Sequence, residues 1–284
     1  MLRDFSLIKP HNLDDALATV AGGDTTAIAG GTDLLVKMKK KMLSPDKIVD
    51  LTGIRELKEI REEGENIVLG ALVTHGQVVS SKLVNSCLPL LVQGCRTVGS
   101  PQIRNTGTLG GNIVNASPAA DSLPPLIALG ASIVLSSVNG QREMKIEDFI
   151  TSPGKTQIRP DEILTKIIVK KMNPGEKCSY RKLGQRKALA ISIANVAVRF
   201  EFDSHSKRCS NPAIVFGAVA PVLRRASALE DELSQRPIDH DVLKEIAEKA
   251  KEYCKPISDI RASSEYRRDM CCSLLYETLY VLTC

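Results

Sequence analysis

The chain of 284 residues is 43% hydrophobic and 25% charged, the usage of an ordinary globular protein, and it is long enough to form two or three subdomains. No apolar run reaches the roughly 20 residues that a membrane-spanning helix needs, so no membrane span is predicted. The net charge of +5 is modest, Trp is absent and aromatic residues make up only 4%, which argues against a nucleic-acid-binding surface.

The termini, cysteines and basic residues add little chemistry. Residues 1–6 include an acid and no continuous apolar stretch, so we expect no secretory signal and a cytoplasmic location. None of the eight cysteines shows the Cys-x-x-Cys spacing of zinc sites or clusters. We therefore expect no metal site, and we expect the cysteines to act as small buried hydrophobes or free thiols. The basic run over residues 37–41 is typical of a solvated helix end.

The first elements lead directly into a glycine-rich turn. Asn12, followed by two acids, predicts the N-cap of a helix that stops at Gly22-Gly23. A small buried strand is predicted over residues 25–29 and a helix over residues 33–38. Between them lies Ala29-Gly30-Gly31-Thr32-Asp33-Leu34. A turn between a strand and a helix adds the positive end of the helix dipole to its exposed N–H groups, which favours an anion.

A second glycine-rich turn follows about 75 residues later. Strands are predicted over residues 48–51 and 67–71, a helix start at Thr74-His75-Gly76 and another helix over residues 88–98. The turn itself is Thr106-Gly107-Thr108-Leu109-Gly110-Gly111-Asn112. We predict an irregular segment over residues 107–121, and such segments between apolar elements are usually functional.

The C-terminal part is predicted to be α+β. Residues 123–135 indicate a short helix and a strand, residues 161–169 a strand and residues 172–176 a turn. The domain boundary is placed at that turn, with a first domain over residues 1–172, its subdomains covering about 1–55 and 56–172, and a second over residues 173–284. The second domain is predicted to hold three antiparallel strands, over residues 179–183, 191–200 and 213–219, and two helices, over residues 240–253 and 265–282.

The two turns share one chemistry, because each combines bare backbone with a hydroxyl and an amide or carboxylate. Glycine tolerates positive φ and has no Cβ, so consecutive N–H groups can approach one anion. Neither turn has the GxGxxG spacing or ends in Gly-Lys-Ser/Thr, so the two commonest nucleotide folds lose support. The pair predicts a diphosphate-binding site in a different nucleotide-binding fold.

Five segments, taken in order, carry a family resemblance. They are the first turn; Ser100-Pro101-Gln102-Ile103-Arg104-Asn105; Thr108-Leu109-Gly110-Gly111-Asn112 with Ala116-Ser117-Pro118 and Asp121; Asp161-Glu162-Ile163-Leu164; and Arg261-Ala262-Ser263-Ser264-Glu265-Tyr266-Arg267. Together they resemble the FAD-binding medium subunit of molybdenum hydroxylases, the family of bacterial xanthine, nicotinate and carbon monoxide dehydrogenases. The resemblance extends over nearly the whole chain.

The resemblance implies an α+β protein. Its first domain would have the FAD-binding fold of p-cresol methylhydroxylase and vanillyl-alcohol oxidase, with two α/β subdomains. A smaller C-terminal α+β domain with a three-stranded antiparallel sheet and helices would follow. Because the family's flavin subunit in the benzoyl-CoA reductase branch carries an inserted cluster loop that is missing here, that branch is disfavoured.

The resemblance also implies a division of labour within an oxidoreductase complex. A large partner subunit would hold molybdopterin and oxidise the substrate, and a small partner would hold two iron–sulfur clusters. This chain would bind FAD, receive electrons from those clusters and pass them to an acceptor such as NAD. The missing cysteine motifs agree with clusters that belong to another chain.

The resemblance assigns FAD contacts to both turns and to several later residues. In the first turn, backbone N–H groups and the Thr32 hydroxyl would bind phosphate oxygens, and in the second, Thr108 and Asn112 would add side-chain hydrogen bonds. Asn115 and Asp121 would face the ribityl or ribose part, although Asn115 stands where xanthine oxidoreductases carry a threonine. The implied contacts in the turns and the segment after them are Ala27, Ile28, Ala29, Gly30, Gly31, Thr32, Asp33, Leu34, Gly107, Thr108, Gly110, Gly111, Asn112, Asn115 and Asp121.

Two further positions concern the flavin ring. Leu164 would pack beside the ring, and Lys182 would lie near its reactive edge, where a cation would stabilise the anionic reduced flavin and tune its potential. A solvated strand residue is the alternative for Lys182. Arg186 and Lys187 would either guide an acidic acceptor or lie in a merely solvated loop. No catalytic residue is predicted.

Two alternatives stay open at this point. A self-sufficient FAD oxidoreductase of the same fold would need a substrate base near the flavin, and no convincing Tyr, His or Glu candidate is found. A non-enzymatic scaffold that has lost its cofactor is the second alternative, and the intact glycines and Asp121 argue against it. The four histidines show no partner pattern, so surface or packing roles are expected.

Overall fold

The computed structural model describes residues 2–186 and 191–284, and within them the chain alternates short helices and strands. The strands are β1 Ser6–Ile8, β2 Thr25–Ile28, β3 Lys47–Asp50, β4 Ile60–Glu63, β5 Asn66–Gly70, β6 Ser132–Ser137, β7 Gly140–Lys145, β8 Ile150–Ser152, β9 Lys155–Thr156, β10 Ile163–Lys170, β11 Glu176–Leu183, β12 Ala194–Asp203 and β13 Arg208–Gly217. The helices are α1 Leu13–Ala21, α2 Leu34–Lys39, α3 His75–Ser80, α4 Lys82–Cys87, α5 Pro89–Arg96, α6 Pro101–Thr106, α7 Leu109–Asn115, α8 Leu123–Ala128, α9 Ile146–Phe149, α10 Ser227–Gln235, α11 His240–Tyr253 and α12 Ser264–Thr283.

A small parallel sheet carries the first glycine turn. Its strand order is β1-β3-β2, and Ile28 at the end of β2 lies opposite Asp50 of β3. Helix α1 begins as predicted, because the Asn12 side chain accepts a hydrogen bond from the Asp15 N–H. Its buried Leu17 joins the apolar cluster beneath the sheet. The chain therefore leaves a supported strand end directly into the glycine turn.

A five-stranded antiparallel sheet forms the centre of the molecule, in the order β4-β5-β10-β6-β7. Strand β5 lies between β4 and β10, and both Ile67 and Leu69 are fully buried in the largest apolar cluster. Helices α3 to α5, α7 and α8 contribute to that cluster. Strand β10 begins its core-facing run at Leu164, and its pairing with β6 shifts register between Leu164 and Lys166.

The sheet β11-β12-β13 is antiparallel, as the sequence predicts, and it divides two cores. Alternate side chains of β12 face opposite ways, since Ala197 belongs to the central core whereas Val196 and Phe200 pack with helices α10 to α12. The sheet is therefore a wall shared by the two apolar cores. The boundary at residues 172–173 stays a prediction.

The sequence prediction was wrong for part of the second glycine segment. Residues 107–121 are not irregular throughout, because they contain helix α7. The Thr108 hydroxyl accepts a hydrogen bond from the Gly111 N–H and starts the helix, and Gly110 allows it to approach the sheet closely. A Cβ on Gly110 would lie 2.7 Å from the Ala71 carbonyl oxygen. Strands β4 and β7 to β9 and helix α10 were also not predicted.

None of the helices within residues 2–186 and 191–284 is both long enough and apolar enough to cross a bilayer.

Arg267 is a buried link between three segments of the C-terminal half. Helix α12 begins at Ser264, one residue before the predicted start, and the Arg267 side chain is only 2% exposed. Its guanidinium donates to the carbonyl oxygens of Ile193 at 2.9 Å and Ala218 at 3.1 Å, and to Asp259 Oδ1 at 2.7 Å. These bonds hold the approach to β12 and the exit from β13 against the start of α12.

Replacing Arg267 with Leu should destabilise the protein, because the carbonyls of Ile193 and Ala218 and the Asp259 carboxylate each lose a hydrogen bond, and Asp259 keeps those from Arg261. We expect the free energy of unfolding to fall by about 3 kcal/mol, measured by urea denaturation. The neighbouring Arg268 is exposed, so Arg268→Leu serves as the matched control and should change the value by less than about 0.5 kcal/mol. Equal stability of the two variants would contradict this account.

Candidate functional site

The two glycine segments line one groove with a volume of about 310 Å³. All predicted contact residues line it except Asp121 and Lys182, so the structure brings together Ala27, Ile28, Ala29, Gly30, Gly31, Thr32, Asp33, Leu34, Gly107, Thr108, Gly110, Gly111, Asn112, Asn115 and Leu164. The groove lies between the end of the small parallel sheet and helix α7.

The two segments touch through their backbones. A Cβ on Gly30 would lie only 1.9 Å from the Thr106 carbonyl oxygen, so no other residue fits there without a shift of the backbone. Gly31 adopts φ of +68°, a left-handed conformation that glycine tolerates best. Gly107 in turn accepts a hydrogen bond from the His75 N–H at 3.1 Å. The glycines therefore serve close approach as well as turn geometry.

The two segments differ in the donors that they offer. Among the described residues, no acceptor is found for the backbone N–H groups of Gly30, Gly31, Thr32 and Asp33. These four neutral donors, with the Thr32 hydroxyl beside them, form a set suited to an anion.

In the second segment most backbone donors are already used. The N–H groups of Leu109 and Gly110 donate to the carbonyls of Val73 and Ala71, both at 2.9 Å, and the Gly111 N–H donates to Thr108 Oγ1. The first segment therefore offers more free N–H donors than the second. The three glycines of this segment contribute bare backbone to the groove wall, beside the side chains of Thr108 and Asn112.

Lys37 is a groove residue that the sequence analysis missed. Its Nζ donates to Asn115 Oδ1 at 2.7 Å, which connects helix α2 to the last turn of helix α7. Lys37 was interpreted as part of a solvated basic helix end. The available signal was its spacing, because it follows Asp33 by four residues and so lies one helical turn beyond the glycine turn.

Glu162 also lines the groove and was not singled out as a contact. Both of its carboxylate oxygens accept from the Arg142 guanidinium, at 2.6 and 2.8 Å, and one also accepts from the Arg159 N–H. The hydrogen bonds from Arg142 hold the pKa of Glu162 below its usual value. This ion pair holds the start of β10, so that Leu164 lies in the groove wall.

His75 lies in the groove wall but is buried, with 2% of its surface exposed. Its Nδ1 is 3.5 Å from Cys95 Sγ. Burial, together with the positive charge of Arg104, lowers the pKa of His75 to about 4. The ring is therefore neutral near pH 7, and it has the packing role that the sequence predicts for the histidines.

Asp121 and Lys182 lie together behind the groove. Asp121 accepts hydrogen bonds from Lys182 Nζ at 2.5 Å, Ser192 Oγ at 2.6 Å and the Tyr180 hydroxyl at 2.9 Å. Burial raises the pKa of Asp121, and the charge of Lys182 opposes this effect. Lys182 also donates to the Thr97 carbonyl at 3.0 Å. The Asp121 carboxylate is thus engaged within the protein instead of facing the groove.

The cluster of Asp121, Tyr180, Lys182 and Ser192 is linked to the groove through the chain, because Lys182 donates to the Thr97 carbonyl and the next residue, Val98, lines the groove. Arg186 follows on the same segment as Lys182, and the predicted Lys187 lies outside the described residues.

The groove fits a dinucleotide with a diphosphate and a flat ring. Free backbone donors lie on one wall, a wall of bare glycine backbone stands opposite, and aliphatic side chains that include Leu43, Leu51, Ile158 and Leu164 supply an apolar lining. Free N–H groups suit phosphate oxygens, whereas aliphatic walls suit an aromatic ring system. This lining is compatible with FAD.

Comparison with known proteins agrees with this geometry. Residues 3–171 match the family described as the FAD binding domain in molybdopterin dehydrogenase. Residues 179–282 match the family described as the CO dehydrogenase flavoprotein C-terminal domain. The predicted α+β fold, with an FAD-binding domain and a C-terminal domain that contains a three-stranded antiparallel sheet, is thereby confirmed.

Individual relatives cover most of the chain. The glyceraldehyde dehydrogenase medium chain of Sulfolobus acidocaldarius is 34% identical over 94% of each chain, and the nicotinate dehydrogenase FAD-subunit of Eubacterium barkeri is 35% identical over 71% of this chain and 70% of its own. The solved carbon monoxide dehydrogenase of Hydrogenophaga pseudoflava superposes with a TM-score of 0.95 at 29% identity, covering 99% of this chain and 98% of the other. The chain therefore belongs to the FAD-binding subunits of the molybdenum hydroxylase family, and it is an oxidoreductase subunit whose cofactor is FAD.

Proposed function

We propose that this chain relays electrons within a larger complex. It would take them from iron–sulfur clusters on a small partner subunit and pass them through FAD to NAD. A large molybdopterin subunit would oxidise the organic substrate. The names of the relatives support an assembly of several chains, since two of them are a medium chain and an FAD-subunit.

The observation that carries the proposal is the chemistry of the groove. It offers free backbone donors for a diphosphate, and Asp33 is an exposed carboxylate at the same turn, whereas the acid–base groups Glu162 and His75 are both held in the protein. Glu162 is ion-paired to Arg142 through both oxygens, and His75 is buried and neutral. Neither is free to remove a proton from a substrate. This arrangement favours a cofactor site over the substrate site of a self-sufficient oxidoreductase.

FAD, when bound, accepts and donates electrons singly or in pairs. We place its diphosphate at the free N–H groups of residues 30–33, with the Thr32 hydroxyl beside them. The second glycine segment, residues 107–112, provides the opposite wall, and Leu164 packs beside the ring. The glycines that make this possible argue against a scaffold that has lost its cofactor.

Lys182 would act on the flavin potential from behind the groove. Its ammonium is held by Asp121 and by the Thr97 carbonyl, one residue from the groove wall at Val98. A cation in this position would stabilise negative charge that develops on the reduced ring. Asp121 would then hold Lys182 in place instead of binding the sugar hydroxyls.

The proposal can be tested on the full chain reconstituted with FAD. After chemical reduction without oxygen, added NAD should restore the oxidised flavin spectrum. Organic substrates such as aldehydes, purines or nicotinate should not bleach the oxidised flavin, because substrate oxidation requires the molybdopterin partner. Bleaching by a substrate alone would favour the self-sufficient enzyme, absence of flavin binding would favour the scaffold, and failure of NAD to reoxidise the flavin would overturn the proposed acceptor.

Replacing Gly111 with Val should abolish FAD retention while the fold persists. A Cβ at Gly111 meets only the Thr108 hydroxyl, at 2.9 Å; displacing this helix cap costs about 1 kcal/mol, so the fold persists and the added methyl groups fill the groove. We expect the affinity for FAD to fall at least about tenfold. The flavin absorbance that remains after gel filtration measures this loss. Gly22→Val adds the same groups at a helix end outside the groove and should retain full FAD. Full flavin occupancy of Gly111→Val would refute the assigned wall.

Replacing Lys182 with Met should make the flavin midpoint potential more negative, because the reduced ring loses a nearby cation. Binding of FAD should persist, since Lys182 does not line the groove. The matched control is Arg181→Met, the adjacent strand residue, which pairs with the exposed Glu277 instead. Spectroelectrochemical titration should show a shift in Lys182→Met alone. Equal potentials in both variants would remove Lys182 from the mechanism.

A further inference from the structure

We propose that Lys37, held by Asn115, supplies the positive charge that binds the FAD diphosphate in this chain. The inference rests on the proposed placement of FAD in the groove. Asn115 would hold the Lys37 ammonium, whereas the family resemblance implies a contact between Asn115 and the sugar part of FAD.

The Lys37 ammonium group is held at the groove. Lys37 and Asn115 both line the groove, and the Nζ···Oδ1 hydrogen bond of 2.7 Å joins its two walls. The Lys37 N–H donates to the Asp33 carbonyl, so the side chain leaves the helix one turn beyond the free N–H groups of residues 30–33. Both residues are only partly exposed, which restricts the ammonium to the neighbourhood of the groove.

The charged side chains that line the groove make Lys37 the partner for a diphosphate. Of the groove-lining residues in the described part of the chain, Lys37 is the one lysine or arginine, and the buried His75 is neutral near pH 7. Two carboxylates also line the groove: Glu162 is compensated by Arg142, and Asp33 is exposed to solvent at the first glycine turn. A dinucleotide diphosphate carries two negative charges, whereas the backbone donors are uncharged. Lys37 is therefore positioned as its counter-ion.

The Lys37 ammonium has N–H donors left for a ligand. A lysine ammonium has three N–H donors, and Asn115 accepts from one of them. The other two can reach phosphate oxygens without breaking the bond to Asn115. Hydrogen bonds with an ionised donor are about twice as strong as neutral ones. Asn115 pre-organises the long side chain, and this reduces the ordering that binding would otherwise require.

The experiment measures FAD binding to the full apo chain by quenching of flavin fluorescence, at about 0.02 and 0.5 M NaCl. Lys37→Met should weaken binding on the order of tenfold at low salt and remove most of the salt dependence. Lys37→Arg should retain most of the affinity because it keeps the charge. The matched control is Lys39→Met, which removes the same charge from an exposed position of α2 outside the groove and should bind like the wild type.

Asn115 is tested in the same assay. Asn115→Ala should weaken binding less than Lys37→Met, and the double variant should bind like Lys37→Met, because Asn115 acts only through the lysine. Additive losses would contradict the positioning role.

The outcomes separate this inference from the proposed function. Wild-type affinity and salt dependence in Lys37→Met would overturn the role of Lys37 alone, and so would an equal loss in Lys39→Met. Failure of the wild-type chain to bind FAD would instead overturn the proposed function.

Discussion

The close approach of two backbone segments is the constraint on which the site depends. Gly30 passes so near the Thr106 carbonyl that a Cβ would lie 1.9 Å from the oxygen. Because the segments belong to different parts of the chain, this contact joins the small parallel sheet to helices α6 and α7. It creates a groove that is narrow, bare of side chains at its centre and lined with free N–H groups on one wall. The glycines are needed for this packing before any ligand is considered.

Polar groups around the groove are mostly held by other protein groups, and this determines what they can do. Glu162 is held by Arg142, and Asp121 is held by Lys182, Ser192 and Tyr180. A carboxylate whose oxygens already accept strong hydrogen bonds positions its neighbours instead of reacting with a substrate. Such a site is suited to holding a cofactor and adjusting its charge environment, as expected of a relay.

The sequence predicted the strand, turn and helix around Gly30 and the antiparallel sheet of the C-terminal half, because these depend on local patterns. Asn12, Thr74 and Ser263 act as the helix caps that their positions indicate. Helix α7 was missed because its two glycines are unfavourable in an isolated helix. It forms because Gly110 packs tightly against Ala71 and Thr108 caps its start, and only the first of these contacts is long-range.

The sequence by itself determined the family, the cofactor and the residues that line most of the groove, because glycine, hydroxyl and amide positions in fixed order carry that information. Only the tertiary structure decided which polar residues pair with one another and which role each of them has. Asp121 and Lys182 pair behind the groove, whereas Lys37 and Asn115 meet across it. The physical reason is that hydrogen-bond partners are set by the packing of segments that are distant in the chain, and no spacing along the sequence records which donor reaches which acceptor.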